Sequence, residues 1–371
     1  MHLHFVPWEE AEASQLHPAA ASDAPSRAVA AAVTAAPRAP ETTRSQLLGI
    51  LMVLASSLLF SSSNFFIFLV ARVGSPILPA QTLCVRFFFQ AGLSILATLL
   101  TRRGRLRDRR VWLGLPGNEF KLIARGVFGV GGLGCWVWLL SNVSLSDAAA
   151  ITFLNVPLTA VFARLYLKEP YTKLDALTGL LGLLGVVLVA QPASVFGAAT
   201  GAMAVPLSPL SVAVGLCGAC FSACAFLSIR TIGPGEDAYV VTLAFAVLGC
   251  VFSPLALLAT AGGWQPVERA AQSWLLVGVG ITGFFGQLLM NAGMGRAPAG
   301  PAAVMRYLDL VNALWMQSVL LEDVPNGLKW TGCLLVLSSV VSTIHKHKVK
   351  ARLEEERAKE AAAAAAVAAS D

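Results

Sequence analysis

The feature that most constrains this chain is an internal repeat. The stretch from Asp147 to Ala190 has a second, diverged copy from Gly300 to Thr343. Written without gaps at an offset of 153 positions, the copies share Ala149/Ala302, Ala160/Ala313, Glu169/Glu322, Thr178/Thr331, Gly179/Gly332 and Val187/Val340, among others. Each copy is an apolar run, a short charged turn and a second apolar run. In a membrane protein such duplication places two similar halves around a shared central site.

The membrane follows from composition. Of the residues, 56% are hydrophobic and 13% charged, and the mean hydropathy is +0.69, whereas soluble domains carry about 25% charged residues. A helix needs roughly 20 mainly apolar residues to cross the hydrocarbon core. Such stretches are expected at 47–70, 78–100, 120–142, 147–167, 174–190, 208–229, 238–260, 273–291, 299–321 and 328–345. The runs are continuously apolar, not alternating, which favours helices over a barrel. The expected fold is an all-α membrane protein with ten transmembrane helices arranged as two inverted five-helix repeats. Five spans per half is an odd number, so the second half enters the bilayer in the opposite sense. The expected organisation is a disordered cytosolic tail over 1–44, a first repeat over 45–190 and a connecting loop over 191–207. A second repeat over 208–345 and a charged, alanine-rich cytosolic tail over 346–371 complete it.

The net charge of +6 invites a nucleic-acid reading. With the N-terminus in the cytosol, however, all but five of the 27 Lys and Arg residues fall on the cytosolic side, including the run from Arg102 to Arg125. Arg72, Arg269 and Lys329 lie outside, and Arg86 and Arg306 lie within spans. This is the positive-inside bias, and it places both termini in the cytosol of an endomembrane or plasma-membrane protein. The basic loop then anchors topology against anionic lipid, and no nucleic-acid partner is expected. All seven cysteines sit in apolar spans, where Cys217, Cys220 and Cys224 read as a small-residue packing face, so no metal or cofactor is expected. No HExxH or Walker motif appears, and the five histidines lie in the tails or at the edge of the last span. An enzyme is not expected.

A few polar residues interrupt the spans. Asn64 needs a partner in hydrocarbon, either a neighbouring helix or a ligand. Arg86 carries a charge whose insertion at mid-membrane costs about 2.5–3.5 kcal/mol, so it faces the bundle interior, or else bonds carbonyls or snorkels. Asn155 precedes Pro157, which frees the carbonyl of Phe153 for a neighbour, water or a ligand. In the ninth span Arg306 and Asp309 share a helix face at i, i+3, with Asn312 one turn on. The pair either neutralises itself or divides its work, one residue binding an anion and the other taking a proton. The glycines of the third and eighth spans predict tight crossings. Gly179, Gly182 and Gly185 predict a close contact with another helix or with a second protomer of a homodimer.

The run LSDAAAITFLNVPLTAVFARLYLKEPYTKLDALTGLLGLLGVVLVAQP resembles the core of the EamA-type drug/metabolite transporter superfamily, and FSSSNFF and VRFFFQ resemble its opening helices. The segments RGVFG and RAPAGPAAVMRYLD bring the chain towards subfamily G of solute carrier family 35. The resemblance spans about 45–345 and implies a ten-helix carrier whose substrate cavity lies between two repeats. Asn64 and Arg86 match positions that recur in the family's opening helices, while Ala225 stands in the second repeat where Asn64 stands in the first. The expected function is secondary transport of a small polar metabolite, an organic anion, by alternating access. Arg86 and Arg306 would pair with its carboxylate or phosphate, Asn64, Asn155 and Asn312 would orient it, and Asp309 would couple a proton. A nucleotide-sugar-type antiporter and a non-transporting scaffold or regulator stand as alternatives.

Overall fold

The computed structural model describes residues 42–70, 72–73, 77–196, 208–258, 263–321 and 325–368. The tail expected over 1–44 lies, up to residue 41, outside these residues, as does 197–207 of the expected connecting loop.

The first repeat contributes α1 (Thr43–Val70), α2 (Pro79–Thr101), α3 (Glu119–Asn142), α4 (Leu145–Thr152), α5 (Asn155–Tyr166) and α6 (Lys173–Ala190). The second contributes α7 (Pro209–Ile232), α8 (Ala238–Leu258), α9 (Ala270–Arg296), α10 (Ala299–Val304), α11 (Leu308–Leu321) and α12 (Gly327–Ala368). Their starts are written locally. Pro79 and Pro209 occupy first-turn positions where a missing N–H costs nothing. The Ser208 hydroxyl accepts from the Ser211 N–H, and Thr172 and Asp175 form a reciprocal capping box on α6. Charge does not end the last helix, because α12 runs unbroken from the apolar span into the charged tail. On that tail Lys359 pairs with Glu355 one turn away at 3.8 Å.

Among the described residues nine helices are long and apolar enough to cross a membrane. The ninth expected run, 299–321, is the one not among them, because it is interrupted by a 3-10 turn at Met305–Tyr307. The fourth run breaks too, at Phe153 and Leu154 between α4 and α5. Phe153 and Arg306 are separated by the repeat offset, so both fourth spans bend at the same place. The causes differ. In the first, Pro157 cannot donate to Phe153, whose carbonyl accepts from the Val156 N–H at 3.2 Å; the expected free carbonyl is thus taken locally. In the second no proline is present, and the Ser57 hydroxyl of α1 donates to the Met305 carbonyl at 3.1 Å.

Packing exchanges the halves. The first helix of each repeat lies on the third membrane helix of the other, α1 on α9 and α7 on α3, and α2 pairs with α8 and α6 with α12. This is the pattern a two-fold relation between inverted repeats requires. Small residues permit it. A methyl on Gly49 would stand 2.7 Å from the Gly293 carbonyl oxygen, and one on Gly185 would stand 2.7 Å from that of Gly332. The glycine face of α6 therefore meets its own chain. Gly185 touches α12, and Gly182 admits the ring of Tyr307, whose hydroxyl donates to the Gly179 carbonyl at 3.3 Å.

The two ends of the bundle are tied differently. At one end Arg102 pairs with Asp237 at 2.7 Å, Arg230 with Glu169 at 2.6 Å and Lys346 with Asp175 at 2.6 Å. Glu169 also accepts from the Ala299 N–H at 2.8 Å, which caps α10. Each pair joins the first repeat to the second half of the chain. At the other end the ties are neutral: the Gln191 and Asn326 amides exchange hydrogen bonds at 2.9 and 3.0 Å, and Gln81 pairs with the backbone of Gln265.

Candidate functional site

Between the repeats, midway along α1, lies a cluster of three charges around one ring. Arg306 follows Met305 in the bend of the ninth span, and its Nη2 meets Asp309 Oδ2 at 2.5 Å. Arg86 arrives from α2 in the other repeat. The Arg306 guanidinium carbon lies 4.6 Å from the centroid of the Phe60 ring, and that of Arg86 lies 5.3 Å from it. Helix α9 makes room for this arrangement. A methyl on Gly283 would fall 2.9 Å from Arg86 Nε, and one on Gly286 would fall 3.1 Å from the Phe60 ring. The glycines of the eighth span thus admit side chains from α1 and α2, where the sequence indicated only a tight crossing.

The chemistry of the cluster is cationic. Two guanidiniums face one carboxylate, all largely buried, and Arg86 is only 7% exposed. Arg86 Nε, Arg306 Nη1 and Asp309 Oδ1 have no hydrogen-bond partner. Unpaired donors on a buried charge are costly to leave unmade, and the excess positive charge at this point suits an anionic group.

Of the six residues expected from sequence, three converge: Arg86, Arg306 and Asp309. The other three stand apart. Asn64 is exposed one turn beyond Phe60 on α1. Asn155 begins α5 with its Oδ1 buried and unpartnered, beside the bend where the Phe153 and Tyr307 rings lie 6.1 Å apart. Asn312 contacts the Met316 sulfur at 3.9 Å and lines an apolar cavity of about 270 Å³ with Trp315 and Trp330.

Sequence reasoning missed two residues. Phe60 reads as one more apolar residue of α1, yet it is the surface on which both guanidiniums lie. Arg125 reads as part of the cytosolic basic loop, yet its side chain is buried within α3 and 2% exposed. Arg125 stands nearly two turns inside α3, and Gly129 one turn on leaves a notch that lets its side chain run inward instead of snorkelling out.

The fold agrees with what the chain is similar to. The EamA-like transporter family matches it twice, over residues 47–191 and 208–344. A probable transport protein of Saccharomyces cerevisiae is 30% identical over 241 residues, covering 62% of this chain and 68% of its own. Human solute carrier family 35 member G1 is 29% identical over 298 residues, covering 79% of this chain and 78% of its own. The pseudopaline exporter of Pseudomonas aeruginosa is 26% identical over 299 residues, covering 79% of this chain and 95% of its own. A crystal structure with 18% identity superposes with a TM-score of 0.65 over 84% of this chain and 99% of its own. With both halves matched, the chain is a multi-pass membrane transport protein of the EamA-like transporter family.

Proposed function

We propose that the protein is a secondary transporter of a small organic anion, working by alternating access between its two repeats. The observation that supports this reading most is the cluster at Phe60, where each repeat supplies one arginine. An anion held by Arg86 and Arg306 together couples the halves, so its release accompanies their separation. Asp309 opposes Arg306 and is the group that carries a coupled proton: when it is protonated, its claim on the guanidinium lapses. The ion-paired end faces the cytosol under the positive-inside bias, and the three pairs there tie the first repeat to the second half of the chain, so they must break or shift when the halves separate at that end.

The test is counterflow in proteoliposomes with a panel of organic anions, nucleotide sugars, amino acids and neutral metabolites. One anionic class is expected to exchange in the wild type, and Arg306→Ala is expected to abolish that exchange. Undiminished uptake in the Arg86→Ala, Arg306→Ala double variant would sink the assignment. Asp309→Asn is expected to retain counterflow but to lose accumulation driven by a pH gradient. Accumulation that persists in this variant removes Asp309 as the coupling group.

A further inference from the structure

A second buried cation lies outside the cluster. Arg125 is buried between α3 and α8, and its guanidinium carbon lies 4.4 Å from the centroid of the Phe245 ring. A methyl on Gly129 would fall 2.1 Å from Arg125 Nη1, so the absent side chain at that position is what lets the guanidinium lie flat there. Its Nε and Nη1 have no hydrogen-bond partner. Among the described residues no carboxylate forms an ion pair with it.

A ring face offsets only part of the cost of desolvating a guanidinium, and that cost stays the larger of the two even after relaxation. The ring alone therefore does not account for a guanidinium held dry, and an anionic group at the two open N–H positions does.

A polar cavity of about 340 Å³ at the ion-paired end is lined by Arg102, Arg296, Asp237, Asn291 and Val241. Val241 and Phe245 stand one turn apart on the same face of α8, so this vestibule ends one turn from the ring that carries Arg125. Phe245 in turn meets the Phe87 ring edge-on at 5.2 Å, and Phe87 is the chain neighbour of Arg86. The vestibule itself is balanced, since Glu236 and Asp237 stand there with Arg102 and Arg296, and the cations without a paired carboxylate or in excess of one lie deeper, at Arg125 and at the Phe60 cluster.

We propose that Arg125 is the cationic pole of a second anion subsite, which takes the carboxylate or phosphate group of a small soluble anion between the vestibule and the Phe60 cluster. The proposal rests on the transporter reading above. It assigns the substrate a staging position on the α3/α8 side, separate from the cluster.

The experiment uses the purified full chain in detergent, with melting followed as inorganic phosphate or succinate is titrated at constant ionic strength. Wild type, Arg125→Met and Arg306→Met are compared. Without added anion Arg125→Met is expected to melt above the wild type, because it removes an uncompensated buried charge. The anion concentration giving half-maximal stabilisation is expected to rise at least about tenfold in this variant, the equivalent of one lost charge-assisted hydrogen bond. A lower melting temperature for anion-free Arg125→Met makes Arg125 structural and overturns the proposal. So do identical responses of wild type and Arg125→Met to both anions, or stabilisation by phosphatidylglycerol but by neither soluble anion. The two readings separate: a response lost in Arg125→Met but kept in Arg306→Met supports the subsite and counts against the central cluster. The reverse pattern removes the subsite and leaves the cluster standing.

Discussion

The two repeats build the same notch twice and fill it with opposite chemistry. On one side Phe60 of α1 packs against Gly286 of α9, with Arg86, Arg306 and Asp309 around it. On the other, Phe221 of α7 packs against Gly131 of α3, where a methyl would fall 3.2 Å from the ring. The positions equivalent to Arg306 and Asp309 are Phe153 and Val156, and the cavity beside Phe221 is apolar, about 370 Å³, bounded by Phe87, Val130 and Gly134. The glycine-and-ring scaffold is therefore a product of the fold, shared by both halves. The charges, drawn from both repeats, are an addition to one of the two notches only, and the asymmetry separates the parts that shape the interior from those proposed to recognise a ligand.

The sharpest way to break this comparison is to remove one residue from each side of it. Arg306→Ala is expected to lower anion counterflow by at least about a hundredfold, since it deletes one of the two guanidiniums proposed to hold the anion and breaks the ion pair of buried Asp309. Phe153→Ala removes a bulkier group at the equivalent position, so it lowers the melting temperature more than it changes the apparent affinity for anion. Equal losses of counterflow per folded molecule in the two variants would falsify the division into scaffold and recognition.

Much of this architecture is legible in the sequence because it depends on long averages. Hydropathy over some twenty residues finds the spans, and Pro157 marks Phe153 as the point where the helical hydrogen bonding of the fourth span is interrupted. The matching bend at Met305–Tyr307 is not legible, because Leu310 occupies the place of Pro157 and the bend is held by Ser57, far away in sequence. Arg86, Arg306 and Asp309 announce themselves, since a charge in a span must face the interior. Arg125 does not, because a charge near a helix end reads as anchored to the surface until the notch at Gly129 is seen. The surroundings of the asparagines are not legible for a related reason. Asn64 and Asn312 are polar enough to demand explanation, but which face of a helix looks inward depends on the crossing partner, and the sequence does not name α9 as the partner of α1.

A steric pair of substitutions sharpens the comparison with a smaller effect. Gly283→Val puts a branched side chain where a single methyl already falls 2.9 Å from Arg86 Nε. Overpacking of this kind costs about 1–3 kcal/mol. Here it displaces the guanidinium, so apparent anion affinity is expected to fall roughly tenfold, equivalent to about 1.4 kcal/mol. Gly131→Val crowds Phe221 to a similar degree and is expected to lower the melting temperature without that loss. Ligand titrations beside thermal melts of both variants check this, and a loss of affinity in Gly131→Val would show that the apolar side also contacts the anion.

The smallest expected effect concerns the ring itself. Both arginines lie over Phe60, and a ring face is worth about 0.5–2 kcal/mol to each cation, depending on desolvation. Leucine keeps most of the apolar volume and loses the quadrupole, so Phe60→Leu frees both guanidiniums from a common plane without opening a large cavity. If the ring acts by holding two charges at one spacing, apparent affinity falls a few-fold and the Arg306–Asp309 pair survives. Phe221→Leu has no cation to release, and its affinity should match the wild type. A rise in affinity in Phe60→Leu would carry the opposite lesson: the ring competes with the anion for the guanidiniums, and the cluster holds its arginines back until a ligand displaces them from its face.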